Sequence, residues 1–188
     1  MTLTEKISIF DKRVSLRLAR WTENHQKLVS FFALSGNAQP WFIVSFILLV
    51  FDVFMSRVEN LIQLTIVGVV AICTTAIKYT FKRPRPCEDI PRKYVGKGDH
   101  WSFPSGHAGR MGSFAFLMSC YFPALSWLFI IWAIIVCYTR IALRVHYFLD
   151  VLAGVIIGVS VAGVGYYFFP QLSQIYQPLV AFFDKIFF

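Results

Sequence analysis

Charge is scarce in this chain of 188 residues: only 15% of its side chains are Asp, Glu, Lys or Arg, against about 25% in a soluble domain. Acidic residues are the scarcer sign, ten against eighteen basic ones, for a formal net charge of +8. With 57% hydrophobic and 18% aromatic residues, this composition excludes a disordered chain and a nucleic-acid-binding domain. Cysteine is sparse too. Cys73, Cys87, Cys120 and Cys137 show no metal-ligand spacing and three of them fall in apolar segments. They read as free thiols, which excludes a disulfide-rich secreted scaffold. No compact apolar core follows the N-terminus, so no cleavable signal peptide is expected.

The charges that are present cluster. Nine lie in Glu5–Lys27 and ten in Lys78–Asp99, while His100–Phe183 holds only Arg110, Arg140, Arg144 and Asp150. Such a chain is expected to be a small polytopic membrane protein, all-α, with basic residues at the headgroups or in an anion site. Five apolar runs approach the length of about 17–25 residues that a spanning helix needs. They cover Pro40–Met55, Leu61–Lys78, Ser105–Tyr121, Ala124–Ala142 and Tyr147–Phe169, with Pro123 dividing a run of 29 uncharged residues, Met111–Thr139. Gly154, Gly158 and Ala162 form a small-residue stripe that suits close helix packing.

The two ends differ from these runs. Ile7, Phe10, Val14, Leu18 and Trp21 recur at helical spacing, with Lys6, Arg13, Arg17 and Arg20 off that stripe. This predicts an amphipathic helix in the membrane interface. The segment Leu172–Phe188 is apolar but contains Pro178, and a short interfacial helix is expected there. One domain follows: an interfacial segment 1–39, a transmembrane core 40–169 and a C-terminal interfacial segment 170–188.

The second and third runs, and the fourth and fifth, are joined on one membrane face. Topology therefore gathers Lys78, Arg85, His107, Arg140, His146 and Asp150 into one region, where such residues are costly unless they serve a site. Lysine and arginine offer a cradle for several anionic oxygens. Ser105 and Gly106 at a helix start add backbone N–H groups and the positive end of the dipole. Two histidines supply a nucleophile and a general acid. Asp150, one turn from His146, can hold that imidazole in one tautomer. Alone, His107 reads as a loop or cap residue and Asp150 as a packing partner; only their register with the other motifs makes them a site. Two histidines and a carboxylate could ligate zinc, but the adjacent cations oppose it, and no metal or cofactor is expected.

Lys78-x6-Arg85-Pro86, Pro104-Ser105-Gly106-His107 and Arg140-x5-His146-x3-Asp150 resemble, in order and spacing, the three-part signature of the type 2 phosphatidic acid phosphatase superfamily, which includes vanadium-dependent haloperoxidases. The third motif of that family usually begins Ser-Arg, where this chain has Thr139 before Arg140. The resemblance implies an integral-membrane lipid phosphatase that needs no metal. It assigns His146 as nucleophile, Asp150 as its orienting partner and His107 as the acid for the leaving oxygen. Lys78, Arg85, Ser105, Gly106 and Arg140 would bind phosphate. Arg83, Arg110 and Arg144 are candidate headgroup contacts. Lys82, Arg83, Arg92, Lys93 and Lys97 suit either a solvated loop or a grip on a second phosphate, and Arg110 and Arg144 either a substrate contact or snorkelling. His25 and His100 carry no role, and Asp52 is expected near the opposite interface.

The expected partners are the bilayer and a phosphorylated lipid, not nucleic acid. Lipid A 1-phosphate is the preferred substrate, with undecaprenyl diphosphate or phosphatidylglycerol phosphate as alternatives. A bacterial inner membrane with the site facing the periplasm is the expected location. A small ion transporter would spread charge through membrane depth, whereas these charges sit at one face. A vanadate-dependent oxidation would not need the membrane spans.

Overall fold

A computed structural model describes residues 2–20, 22–51, 54–87 and 99–187. All regular structure among these residues is helical. Helix α1 covers Leu3–Arg20, α2 Gln26–Ser35, α3 Ala38–Phe51, α4 Arg57–Phe81, α5 Gly106–Tyr121, α6 Ser126–Ala142, α7 Phe148–Tyr167 and α8 Phe169–Phe187. Short 3-10 turns precede α2 at Glu23–His25 and α6 at Pro123–Leu125. Trp21 and Asp52 lie outside the described residues, as do Arg92, Lys93 and Lys97.

Two of the helix starts can be read in the sequence. Ser56 caps α4 by accepting from the Glu59 backbone, and Glu59 returns the favour to the Ser56 N–H at 2.8 Å, a capping box. Pro123 opens the turn before α6, in the position where a missing N–H costs least. Three of these segments are long and apolar enough to cross a membrane: Arg57–Phe81, Pro123–Ala142 and Phe148–Tyr167. The other two expected spans are shorter. α3 has 14 residues and α5 has 16, or about 21 and 24 Å of helix against a hydrocarbon core of about 30 Å. α5 stops short because its first turn belongs to the polar site.

α5 is the central helix, packed on α4, α6 and α7. Its contact with α7 is made by backbone. A methyl group placed on Gly154 or Gly158 of α7 would run into the carbonyl oxygens of Ser105 and Gly109, and one on Gly112 would lie 3.0 Å from the Val155 carbonyl oxygen. The stripe Gly154, Gly158 and Ala162 is accordingly buried. Small residues let two helices approach this closely. Ile62 and Ile66 of α4 with Leu117 and Ala162 form a second buried cluster, covered by Phe169, Leu172 and Tyr176. α8 continues through Pro178 as a single helix and is fastened to α4 by Tyr176–Thr65 at 2.5 Å and Arg57–Asp184 at 2.7 Å.

The N-terminal segment does more than lie beside the bundle. α1 exposes Ile7 and Phe10 as the amphipathic reading requires, yet it buries Asp11, Ser15 and Ala19, a short-side-chain stripe next to the apolar one. α2 packs on α6, with Phe32 edge-on to Trp132 at 5.6 Å.

The α5–α7 contact makes a stability prediction. Gly158→Val should destabilise the protein by about 1–3 kcal/mol, the usual range for overpacking. Gly68→Ala, where nothing lies within 4 Å of an added methyl, should be neutral or slightly stabilising. Thermal unfolding of the two variants in one detergent checks the contrast, and equal midpoints would remove the close contact from the account.

Candidate functional site

The ends of four helices meet at one end of the bundle: the C-termini of α4 and α6 and the N-termini of α5 and α7. The loops leaving them are short or pinned. Ser102 N–H donates to the Arg83 carbonyl at 2.8 Å, and Ser105 N–H to the Asp150 carbonyl at 2.9 Å. These bonds bring the three sequence motifs into one cluster, as the topology implies.

Lys78 sits in the last turn of α4, nearly buried, where the helix dipole favours a cation. Its ammonium donates to both Asp99 carboxylate oxygens, at 2.6 and 2.7 Å, and to the Trp101 carbonyl at 3.2 Å. Arg85 donates to the Val145 carbonyl at 2.8 Å and pairs with the same Asp99 carboxylate at 3.0 Å. Burial alone would raise the Asp99 carboxyl, but Lys78 and then Arg85 overcome it and hold it below the usual carboxylate range. Asp99 is thus a resident anion between two of the three cations expected to bind phosphate. Sequence reasoning passed over it; it is one of three carboxylates, with Glu88 and Asp89, in the basic run Lys78–Asp99.

Arg140, the third of those cations, is fully buried in the last turn of α6 and donates to the Ala33 carbonyl of α2 at 3.1 Å. The adjacent Thr139 hydroxyl, where the family pattern has serine, is spent on the Val136 carbonyl at 2.6 Å. Ser105 is the N-cap of α5, its hydroxyl accepting from Ala108 N–H at 3.4 Å. It is wholly buried, and its hydroxyl shapes the helix start. The N–H groups of Gly106 and His107 follow it and have no acceptor within the helix. The Arg110 guanidinium folds back to lie 3.5 Å from where a Gly106 methyl would be. Arg110 also lines a cavity of about 330 Å³ with Trp41, Gln63 and Phe114.

The two histidines are held differently. His107 Nε2 lies 3.1 Å from Asn37 Oδ1 in the turn between α2 and α3. His146 is buried, and its Nδ1 lies 2.7 Å from the Ser102 carbonyl. A carbonyl can only accept, so Nδ1 carries the hydrogen and Nε2 keeps its lone pair. The Asp150 carboxylate, expected to set this tautomer, stands beside the same nitrogen but farther off. Asp150 Oδ2 is 3.7 Å from Nδ1, and the nearer acceptor is a backbone oxygen that no side-chain motif could reveal. The Asp150 carboxylate instead accepts from the Tyr147 N–H at 2.8 Å and from Arg83 at 2.6 Å.

Arg83 also departs from expectation. Its guanidinium bridges Asp150 and Asp11 of α1, each at 2.6 Å, and stacks 4.1 Å above the Tyr147 ring. It is an internal tie, not a headgroup contact. Arg144 remains exposed with a left-handed backbone, φ 56°. It lines a cavity of about 250 Å³ with Lys12, Ser15, His146 and Tyr147. Besides Asp99, the sequence reading missed Asp11, Asn37 and Ser102.

Residues 59–174 match the model of the PAP2 superfamily. The chain is 32% identical over 136 residues to the undecaprenyl-diphosphatase of Sulfolobus acidocaldarius, a match covering 70% of this chain and 64% of that protein. It therefore spans less than two thirds of that relative. Among solved structures, the fold is similar to a transmembrane PAP2-type phosphatidylglycerolphosphate phosphatase from Bacillus subtilis, with a TM-score of 0.71 at 19% identity, covering 88% of this chain and 87% of that one. It is also similar to LpxE of Aquifex aeolicus, with a TM-score of 0.66 at 23% identity, covering 81% and 94%.

The resident Asp99 carboxylate competes with any other anion for Lys78 and Arg85. Asp99→Asn should therefore tighten inorganic phosphate binding, measured by calorimetry, by about tenfold, the worth of one charge-assisted contact. Unchanged or weaker binding would show that the carboxylate supports the cradle instead of competing for it.

Proposed function

We propose that this chain, which belongs to the PAP2 superfamily, hydrolyses a phosphate ester or diphosphate on a membrane lipid through a phosphohistidine on His146, without a metal. The observation that carries this reading is the His146 ring. Its Nδ1–H is committed to the Ser102 carbonyl, which leaves Nε2 as the nucleophile. Burial pushes the imidazole down to about 4, with Arg85 and Lys78 adding to the push and Asp150 opposing it. The ring is therefore neutral and nucleophilic near pH 7, and its own protonation places no acid limb on the rate between about pH 5 and 8.

The steps balance with the residues present. Nε2 attacks phosphorus as the bond from phosphorus to the lipid oxygen breaks, and His107, entering as the imidazolium with a hydrogen on each ring nitrogen, gives that oxygen its Nδ1 proton and becomes neutral. Water then attacks the phosphohistidine, passing a proton to His107 as the phosphorus–nitrogen bond breaks and inorganic phosphate leaves. Asn37 accepts from Nε2 of His107, which leaves Nδ1 for the proton exchange. Lys78, Arg85 and Arg140 take the phosphoryl oxygens with the N–H groups of Gly106 and His107. The charge they face grows in the transition state, where such contacts count most.

Undecaprenyl diphosphate is the first substrate to test, because the relative at 32% identity is named for that reaction. Lipid A 1-phosphate, which the sequence reading favours, stands beside it, then phosphatidylglycerol phosphate. In a bacterial cell the site would face the periplasm from the inner membrane.

Purified protein in detergent with EDTA should release phosphate from one of these lipids, and His146→Ala should lower kcat by about 1,000-fold or more. Vanadate should inhibit. Silence on all three lipids from folded protein, or full activity in the His146 variant, would defeat the proposal.

A further inference from the structure

The first turn of α7 follows directly after His146, and its N–H groups need acceptors from outside the helix. Asp150 supplies the one for Tyr147. The next two come from α1: Phe148 N–H donates to the Ser15 hydroxyl at 2.9 Å and Leu149 N–H to Asp11 Oδ1 at 3.0 Å. The other Asp11 oxygen accepts from Arg83, whose second arm holds Asp150. Asp11 and Asp150 are fully buried, and a buried carboxylate is sustained only by full pairing. The Asp11 carboxylate uses both oxygens, one on the α7 backbone and one on the guanidinium. Sequence gives α1 no reason to carry a buried carboxylate, and residue 11 lies outside the 59–174 match to the family model.

We propose that α1 is a positioning element for the reaction, in which Asp11, acting through Arg83 and the first turn of α7, fixes Asp150 and the seat of His146. The inference rests on the phosphatase reading above. Asp11 touches neither His146 nor the cations of the phosphate cradle; it acts on the nucleophile through two intermediaries. An arginine is required between the two carboxylates because its fork offers two separated donors, whereas a lysine ammonium cannot span both with the same geometry. The contribution is specific to the chemical step: the side chains of Lys78, Arg85 and Arg140 make their own contacts, with Asp99, Val145 and Ala33, and none with Asp11.

The test begins with wild-type protein releasing phosphate from lipid; if it does not, the functional reading fails and not this inference alone. In the active enzyme, Asp11→Asn should lower kcat by about 10- to 100-fold, the loss seen when a partner that orients a metal-bound imidazole is removed. KM and the inhibition constant of inorganic phosphate should stay within about twofold. Arg83→Gln should lower kcat similarly. Because Arg83→Gln leaves Asp11 buried without its cation, Asp11→Asn in that background should leave kcat unchanged or raise it, the opposite of its effect in wild type. If Asp11→Asn does not fold, Ser15→Ala, which removes a neighbouring α7 contact, should show the same split between kcat and KM to a smaller degree. A folded Asp11→Asn with wild-type kcat, a parallel loss of phosphate affinity, or losses that simply add with Arg83→Gln would each overturn the proposal.

Discussion

Everything at the site depends on two helices touching through their backbones. α5 begins at Gly106 and α7 at Phe148, and their N-termini carry or adjoin the two histidines. Glycines at 109, 112, 154 and 158 remove the side chains that would hold the axes apart. The hydrogen bond from Ser105 N–H to the Asp150 carbonyl then fixes the register between the helix starts. A helix–helix distance is thereby converted into a histidine–histidine relation. In a bilayer, where apolar surface gives helices no reason to prefer one another over lipid, packing of this kind and interhelical hydrogen bonds are the available means.

Charge at the site is managed by pairing. Lys78, Arg83, Arg85, Arg110 and Arg140 crowd one end of a small bundle, and such a group would repel itself apart without counter-charges. Asp99 answers two of them on the open side. Asp11 and Asp150 answer Arg83 on the buried side. The difference in exposure matters: Asp99 is 35% exposed and the other two carboxylates 0%. A partly exposed carboxylate can be displaced by a phosphate at modest cost, since water can solvate it when it leaves. A fully buried one cannot leave without stranding its guanidinium. The exposed pair therefore suits exchange and the buried pair suits fixing geometry, although all are ion pairs of similar length.

Much of this was legible in the sequence for reasons that can be named. The apolar runs and charge clusters fix the all-helical membrane architecture, because a bilayer permits few alternatives. The three motifs fall together because loops at one face must join alternate helix ends. The small-residue stripe of α7 announces a close neighbour. What was hidden is of a different kind. The Ser102 carbonyl that sets the His146 tautomer is backbone, so no residue type advertises it. Asp11 belongs to a helix whose periodicity was dominated by its apolar and basic residues; the stripe Asp11, Ser15 and Ala19 is too short to compete with that signal. Arg83 sits in a basic run, Lys78 to Arg85, whose residue types cannot say which cation turns inward. Asn37 reaches His107 from 70 residues away, and only the packing of α2 against α6 brings it there.

The tie between α1 and α7 also changes how orientation is to be argued. The rule that basic residues favour the cytoplasmic side counts charges free to meet lipid headgroups and water. Lys78, Arg83, Arg85 and Arg140 are engaged inside the protein and do not belong in that count. What remains near the site among the described residues is Lys82, Arg144 and the basic face of α1, Lys6, Lys12, Arg13, Arg17 and Arg20. Because Asp11 and Ser15 bind the backbone at the start of α7, this helix cannot lie on one side of the membrane with the site on the other. The sidedness of α1 and that of the chemistry are one quantity. A label placed on an exposed residue of α1, such as Lys12, therefore reports the side on which the phosphate would be released. It does so without any assumption about which lipid is cleaved.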